Sequence, residues 1–219
     1  MHRFESSLGR IFFFIDCMNS NNNNHDASSN QFVWNEANAL WYAEEYGDHI
    51  SNDLTIKNIE LNPNDIILDI GCGTGTAAAL ASKICHKGKI YGIDPIETMI
   101  NIALKNIDKA LNIEFILGSA ERIPLNNKSV DKVIAINSIH HWKDYKKGLL
   151  EVNRVLKSDG LFFISNDIVN NEDCGHGTGP LQTNKNIMDK LTNAGFTGIR
   201  LQDYILESDG IHIIQSRKV

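Results

Sequence analysis

Eight consecutive residues, Leu68-Asp69-Ile70-Gly71-Cys72-Gly73-Thr74-Gly75, place a glycine at every second position directly after the apolar run Ile66-Ile67-Leu68. A strand that ends this way can turn tightly, because glycine accepts left-handed backbone angles without steric cost. The small residues from Thr74 to Ala81 then read as the start of a helix. Strand, glycine turn and helix make the opening of a βα unit, with free helix N–H groups facing a ligand that approaches the main chain. The spacing is G-x-G-x-G. It differs by one residue from the dinucleotide fingerprint G-x-G-x-x-G, so the glycines alone leave the ligand open.

The same alternation continues downstream. Ile66 to Ile70 reads as a strand, Thr74 to Cys85 as a helix, Lys89 to Ile93 as a strand and Glu97 to Ala110 as a helix. Ile113 to Leu117 and Asp131 to Asn137 read as strands, Asp144 to Leu156 as an amphipathic helix, and Leu161 to Ser165 as a fifth strand. Strands that are near-continuous apolar runs belong to a parallel sheet covered on both faces, and the alternation predicts a doubly wound α/β fold. The tail breaks this rhythm. Asn184 to Ala194 reads as a helix, followed by strands Ile199 to Leu206 and Ile211 to Ser216 around Asp209-Gly210, which is hairpin chemistry. A mixed sheet ending in an antiparallel hairpin disfavours a nicotinamide-dependent oxidoreductase, which stays as the lesser alternative.

The 219 residues, 42% hydrophobic and 22% charged, fit one globular domain with a small appendage. The tract Asn19 to Asn30 is polar and of low complexity, so residues 1–30 are expected to be disordered or loosely attached, with Met18 as a candidate start. The domain is expected to span 31–219, divided into an N-terminal helical cap over 31–64 and a core over 65–219. Within the cap, Ala37, Leu40, Trp41, Glu44 and Tyr46 fall on or beside one helical face. No apolar run is long enough to span a bilayer or to form a secretory signal core, and the four cysteines form no C-x-x-C pair. A cytoplasmic protein without disulfides is therefore expected. Cys174 and His176 lack a partner motif, so no metal site is predicted. The net charge of −6 argues against a nucleic-acid partner.

The glycine segment Asp69 to Gly75 resembles the glycine motif of class I S-adenosylmethionine (SAM)-dependent methyltransferases. Gly92-Ile93-Asp94-Pro95, the stretch Gly118 to Leu125, the stretch Asp131 to Trp142 and Leu156 to Gly160 follow in that family's order and spacing. The flavour is that of the small-molecule methyltransferases similar to those of ubiquinone and menaquinone biosynthesis. The resemblance covers roughly Asp65 to Val219. It implies a Rossmann-like, mostly parallel seven-stranded sheet of order 3-2-1-4-5-7-6, and SAM as cofactor with S-adenosylhomocysteine (SAH) as product. The function expected is methyl transfer to a small-molecule acceptor, with a SAM-binding protein without turnover as the alternative.

The resemblance also assigns residues. Asp69, Gly71, Cys72, Gly73 and Gly75 would hold the methionine portion of the cofactor. Asp94 follows the second strand, where a carboxylate can accept hydrogen bonds from both ribose hydroxyls. Pro95, Ile96 and Met99 could pack on the adenine face. Ser119 stands where that family commonly has an aspartate that meets the adenine amino group, and the main-chain N–H of Ala120 could meet a ring nitrogen. Glu121 completes that loop. In an open α/β sheet the ligand crevice lies at the carboxyl ends of the strands where strand order reverses, here between strands one and four. Asn137, His140, His141 and Trp142 should therefore face the glycine loop. Either histidine could accept a proton from an acceptor, since an unperturbed imidazole titrates near neutrality. Trp41, Tyr46 and Trp142 are candidate acceptor contacts. The segment Asn166 to Gln182 is short, polar and glycine-rich, so residues 31–58 are expected to close the crevice instead.

Overall fold

The computed structural model describes residues 36–107, 112–168, 181, 183–206 and 209–219. The expected 1–30 extension, Met18, Cys174 and His176 lie outside the described residues. Two cap helices come first, α1 (Glu36–Tyr46) and α2 (Ile50–Asn58). They precede β1 (Ile66–Ile70), α3 (Thr76–Ile84), β2 (Lys89–Asp94), α4 (Glu97–Asn106) and β3 (Ile113–Leu117). Next are β4 (Val130–Ile136), a 3-10 turn over Ile139–His141, α5 (Tyr145–Val155) and β5 (Leu156–Asp167). The chain ends with α6 (Asn184–Asn193), β6 (Phe196–Leu206) and β7 (Asp209–Lys218).

The seven strands form one sheet in the order β3-β2-β1-β4-β5-β7-β6. The first five are parallel, and β7 runs antiparallel to both β5 and β6. Successive residues of β1 explain why its run is apolar throughout. Ile67 joins a core layer with Ala78, Ile134 and Phe163, whereas Leu68 joins the opposite layer with Val133, Val152 and Phe162. Both side chains are fully buried, and burial of each stabilises the fold by roughly 1.5–3 kcal/mol.

Three local readings change. The cap is not one helical run, because the chain turns at Gly47–Asp48 and His49 then caps α2, its ring accepting from the Ser51 N–H. The face assigned to α1 is also different: Ala39 is the buried position and Leu40 is 47% exposed. Strand β5 begins five residues before the apolar run at Leu161, because Leu156 already pairs with Val130 across an irregularity in β4.

The cap is anchored to the carboxyl ends of the central strands. Thr55 Oγ1 donates to Ser165 Oγ at 2.7 Å, a buried bond from α2 to β5. At the opposite end of the sheet, Lys132 of β4 pairs with Asp65 at 2.5 Å, both side chains nearly buried. Asp65 also accepts the Asn62 N–H, so the pair closes the turn that leads into β1.

Candidate functional site

The glycine loop lies where β1 and β4 part company. Ser138, just after β4, donates its hydroxyl to the Ile70 carbonyl at 2.7 Å and binds the two strand ends together. Gly71 has φ +73°, and a Cβ there would stand 2.6 Å from the Ser138 Cβ. No other residue fits that contact. Gly73 is different: its φ is +51°, but a Cβ would meet nothing within 4 Å. Its exposed face therefore opens onto free space.

The expectation of free loop N–H groups is not met. The Gly71 and Cys72 N–H groups both donate to the Ile93 carbonyl, at 2.8 and 3.0 Å, and Gly75 donates to Cys72. Gly73 donates to Asp94 Oδ2 at 3.1 Å. Helix α3 starts at Thr76, later than the expected Thr74, because Gly75 at φ 83° is its N-cap. The glycines thus supply room and fix Asp94, while the Gly71, Cys72, Gly73 and Gly75 N–H groups are taken up by Ile93, Asp94 and Cys72.

Two carboxylates frame this room. Asp69 is 2% exposed and its Oδ2 has no hydrogen-bond partner. Burial, with the charge of Asp94 adding to it, pushes the Asp69 carboxyl up to about 7. Asp94 accepts from the Ile96 N–H at 2.9 Å and from Gly73. Burial nevertheless pushes it up to about 6 against those two bonds. Burial, then Asp69 and Asp94, keeps the Cys72 thiol well above its ordinary value, so Cys72 is an inert packing group. A carboxylate can accept roughly four hydrogen bonds, so Asp94 has capacity beyond its two main-chain donors. Pro95 is exposed and Ile96 half-buried, leaving apolar surface beside it, but Met99 is 2% exposed and packs inside α4. Met99 therefore has no face to offer a ligand.

The loop after β3 is held from behind. Burial raises the Glu121 carboxyl, but the Asp144 N–H, the Ser119 hydroxyl and further main-chain donors outweigh it and hold Glu121 below the usual carboxylate range. Glu121 Oε1 accepts the Asp144 N–H at 3.1 Å, at the start of α5. Ser119 and Glu121, both expected at the cofactor, are thus engaged with each other, and the Ala120 side chain is buried. Their side-chain bonds fix the loop, which leaves the Ala120 main chain as the contact to be tested. Arg154 of α5 secures the same loop, donating to the Leu125 and Ile123 carbonyls at 2.7 and 2.9 Å while paired with Glu151. Arg154→Ala is expected to lower stability by about 1–3 kcal/mol. It should also weaken SAH binding several-fold although it lies outside the crevice; denaturant unfolding and calorimetry measure the two effects.

On the β4–β5 side, Asn137 has φ +47°, an uncommon conformation that places its amide between three partners. Its Nδ2 donates to Ser51 Oγ at 3.1 Å and to Asp167 Oδ2 at 3.0 Å, and its Oδ1 accepts the Asp167 N–H at 3.0 Å. The side chain expected to bind cofactor instead joins α2 to the end of β5. His49 Nδ1 lies 3.7 Å from the same Asp167 oxygen. Tyr42, one of the cap aromatics available for a lid or for contact with the sulfonium, has its hydroxyl pushed up to about 12 by burial and then by Asp167, Tyr46 and Asp94. Tyr42 and Tyr46 rings stand 5.2 Å apart, Trp41 meets Tyr46 edge-on at 5.9 Å, and Tyr46 is 6.2 Å from His49.

The remaining candidates divide. His140 and His141 lie on the 3-10 turn after β4 with ring centroids 4.1 Å apart, His140 half-buried and His141 exposed. Trp142 belongs to the core: its ring stacks on Phe162 at 6.4 Å and fills the space that a Cβ at Gly148 would need. It is a packing residue and not an acceptor contact.

This sheet order, with a glycine loop after β1 and a carboxylate closing β2, defines the class I methyltransferase fold, whose cofactor is SAM. Residues 68–164 match the methyltransferase domain family. YrhH of Bacillus subtilis, named only provisionally as a methyltransferase, is 34% identical over 115 residues, which are 52% of this chain and 64% of that protein. The demethylmenaquinone methyltransferase of Chlorobaculum tepidum is 37% identical over 108 residues, 49% of this chain and 43% of that protein. In each case the match spans less than two thirds of the relative's length. A SAM-dependent methyltransferase from Aquifex aeolicus has the same fold, with a TM-score of 0.69 at 23% identity over 85% of this chain and 100% of that one. Among the described residues no helix is long and apolar enough to cross a membrane, and no cluster of His, Cys, Asp or Glu could hold a metal ion.

Proposed function

We propose that this chain is a SAM-dependent methyltransferase acting on a small-molecule acceptor. The observation that carries the reading is the pairing of Asp69 Oδ2, a buried acceptor without a donor, with the open space over Gly73. A cationic, donor-rich ligand suits both. The cofactor supplies a methyl group on a sulfonium, whose transfer to a nucleophile is an in-line displacement. The chain's own residues bind and align. Asp94 would take the ribose hydroxyls while remaining fixed by Gly73 and Ile96, and the apolar Pro95 and Ile96 would border the adenine. The cap, bonded through Ser51 and Thr55 to the ends of β4 and β5, would exclude water from the reacting atoms. Trp41 and Tyr46 would wall the acceptor side. His140 and His141, on the turn after β4, would take the proton from a protic acceptor.

The test has two parts. Calorimetry should show SAM and SAH binding to the full chain and no binding of NAD, and a mixture of candidate acceptors should yield SAH only when an acceptor is present. Binding of SAH with no turnover on any acceptor would leave a binding protein. Binding of NAD in place of SAH would remove the reading altogether.

A further inference from the structure

The groups that meet on the β4–β5 side specify the kind of molecule that receives the methyl group. Trp41, Tyr42, Tyr46 and His49 form a run of ring-to-ring contacts, and Asp167 ends that run beside His49. All five side chains are half-buried, so each presents part of its surface. Asp167 is also fixed in place. Asn137 grips both its carboxylate and its main-chain N–H, and Asn137 is itself held by Ser51 of the cap. An anchor so positioned costs little ordering when a ligand arrives.

Aromatic faces attract cations, and a carboxylate at the end of the row attracts them further. Burial raises the Tyr42 hydroxyl first, and Asp167, Tyr46 and Asp94 then act on it in the same direction. The two carboxylates that act on Tyr42 thus give a field of one sign. An anionic acceptor such as a carboxylate or phenolate would have to enter against that field.

We propose that the acceptor of this enzyme is a small organic amine, held as its ammonium form by Asp167 and the rings of Trp41, Tyr42 and Tyr46. The inference rests on the methyltransferase reading above. The ammonium first gives one proton to His140 or His141, leaving a nitrogen lone pair. That pair forms the N–C bond to the methyl group as the C–S bond breaks, and the bonding pair leaves on sulfur as SAH. The positive charge passes from sulfur to nitrogen. Asp167, placed at the acceptor end, stabilises that charge where it arrives.

Three probes of one size and different charge test this on the full chain saturated with SAH: benzylammonium, benzyl alcohol and benzoate, titrated by calorimetry. Benzylammonium is expected to bind at least about tenfold more tightly than either of the others. Asp167→Asn should remove that preference while leaving SAH affinity unchanged. Tyr42→Leu should lower it, and Tyr42→Phe, which keeps the ring, should retain it. Equal or tighter binding of benzyl alcohol or benzoate, a preference that survives in Asp167→Asn, or failure of benzylammonium to bind the SAH complex would each overturn the proposal. Failure of the wild-type chain to bind SAH at all would instead overturn the methyltransferase reading on which it depends.

Discussion

Gly73→Val is expected to weaken SAH binding by at least about 100-fold while the domain still folds. At φ +51° a β-branched residue is strained, which costs of the order of 1–3 kcal/mol. Nothing within 4 Å blocks the side chain, however, so the cost is local. The valine methyl groups would project into the space that the crevice keeps open, and the distorted turn would loosen the Gly73 N–H from Asp94. Both effects fall on the ligand. Gly195→Val supplies the control, because Gly195 has φ +85°, an equally open surrounding and a place in the turn between α6 and β6. That variant should lose comparable stability and keep wild-type SAH affinity. Thermal melting and calorimetry on the two variants separate strain from exclusion. Equal SAH affinity in both would mean that the open face of Gly73 is not where the cofactor lies.

The contrast between those two glycines also shows what a sequence can disclose. The order of elements was legible because each strand is an apolar run of parallel-sheet character and each helix follows a turn signal; the antiparallel hairpin was legible too, although Asp209 and Gly210, read as its turn, pair with Leu206 and Ile205 as the first residues of β7. Gly71, Gly73 and Gly75 were legible as a turn. Where their N–H groups point was not, since the Ile93 carbonyl and the Asp94 carboxylate reach the loop from a neighbouring strand. Met99 and Trp142 illustrate the same limit: their positions in the motif order suggested ligand contacts, but burial within α4 and stacking on Phe162 are settled by tertiary packing. The cluster of Ser51, Asn137 and Asp167 is the extreme case. Its members are common polar residues far apart in the chain, with no spacing rule to unite them, and only the approach of α2 to the ends of β4 and β5 does so. Tyr42 belongs to that cluster by charge rather than by motif.

The second large effect concerns stability and pH. Asp69 and Asp94 have folded values of about 7 and about 6, both above the ordinary carboxylate value, with burial as the leading cause. A group raised on folding binds its proton more tightly in the native state than in the unfolded chain, so the stability it contributes is present at low pH and is lost as pH rises through the folded value. The ligand-free domain should therefore lose stability between about pH 4 and pH 7, by a few kcal/mol if the Asp69 shift of about 3 units is fully expressed at roughly 1.4 kcal/mol per unit. Glu121, Glu151 and Asp144 are shifted the other way, so their contribution falls away at more acidic pH and bounds the window from below. Asp69→Asn removes the main source of the loss. It should be more stable than wild type at pH 8, nearly equal at pH 5, and markedly weaker in SAH binding, because a neutral amide replaces the buried charge that the ligand's amino group would meet. Urea unfolding at several pH values, with and without SAH, measures all three quantities. A wild-type profile flat from pH 5 to 8, or an Asp69→Asn variant no more stable at pH 8, would show that this carboxylate is not the strained group. If both hold as expected, the domain keeps a buried charge that destabilises it when empty, and the cofactor's positive amino group is what that charge is kept for.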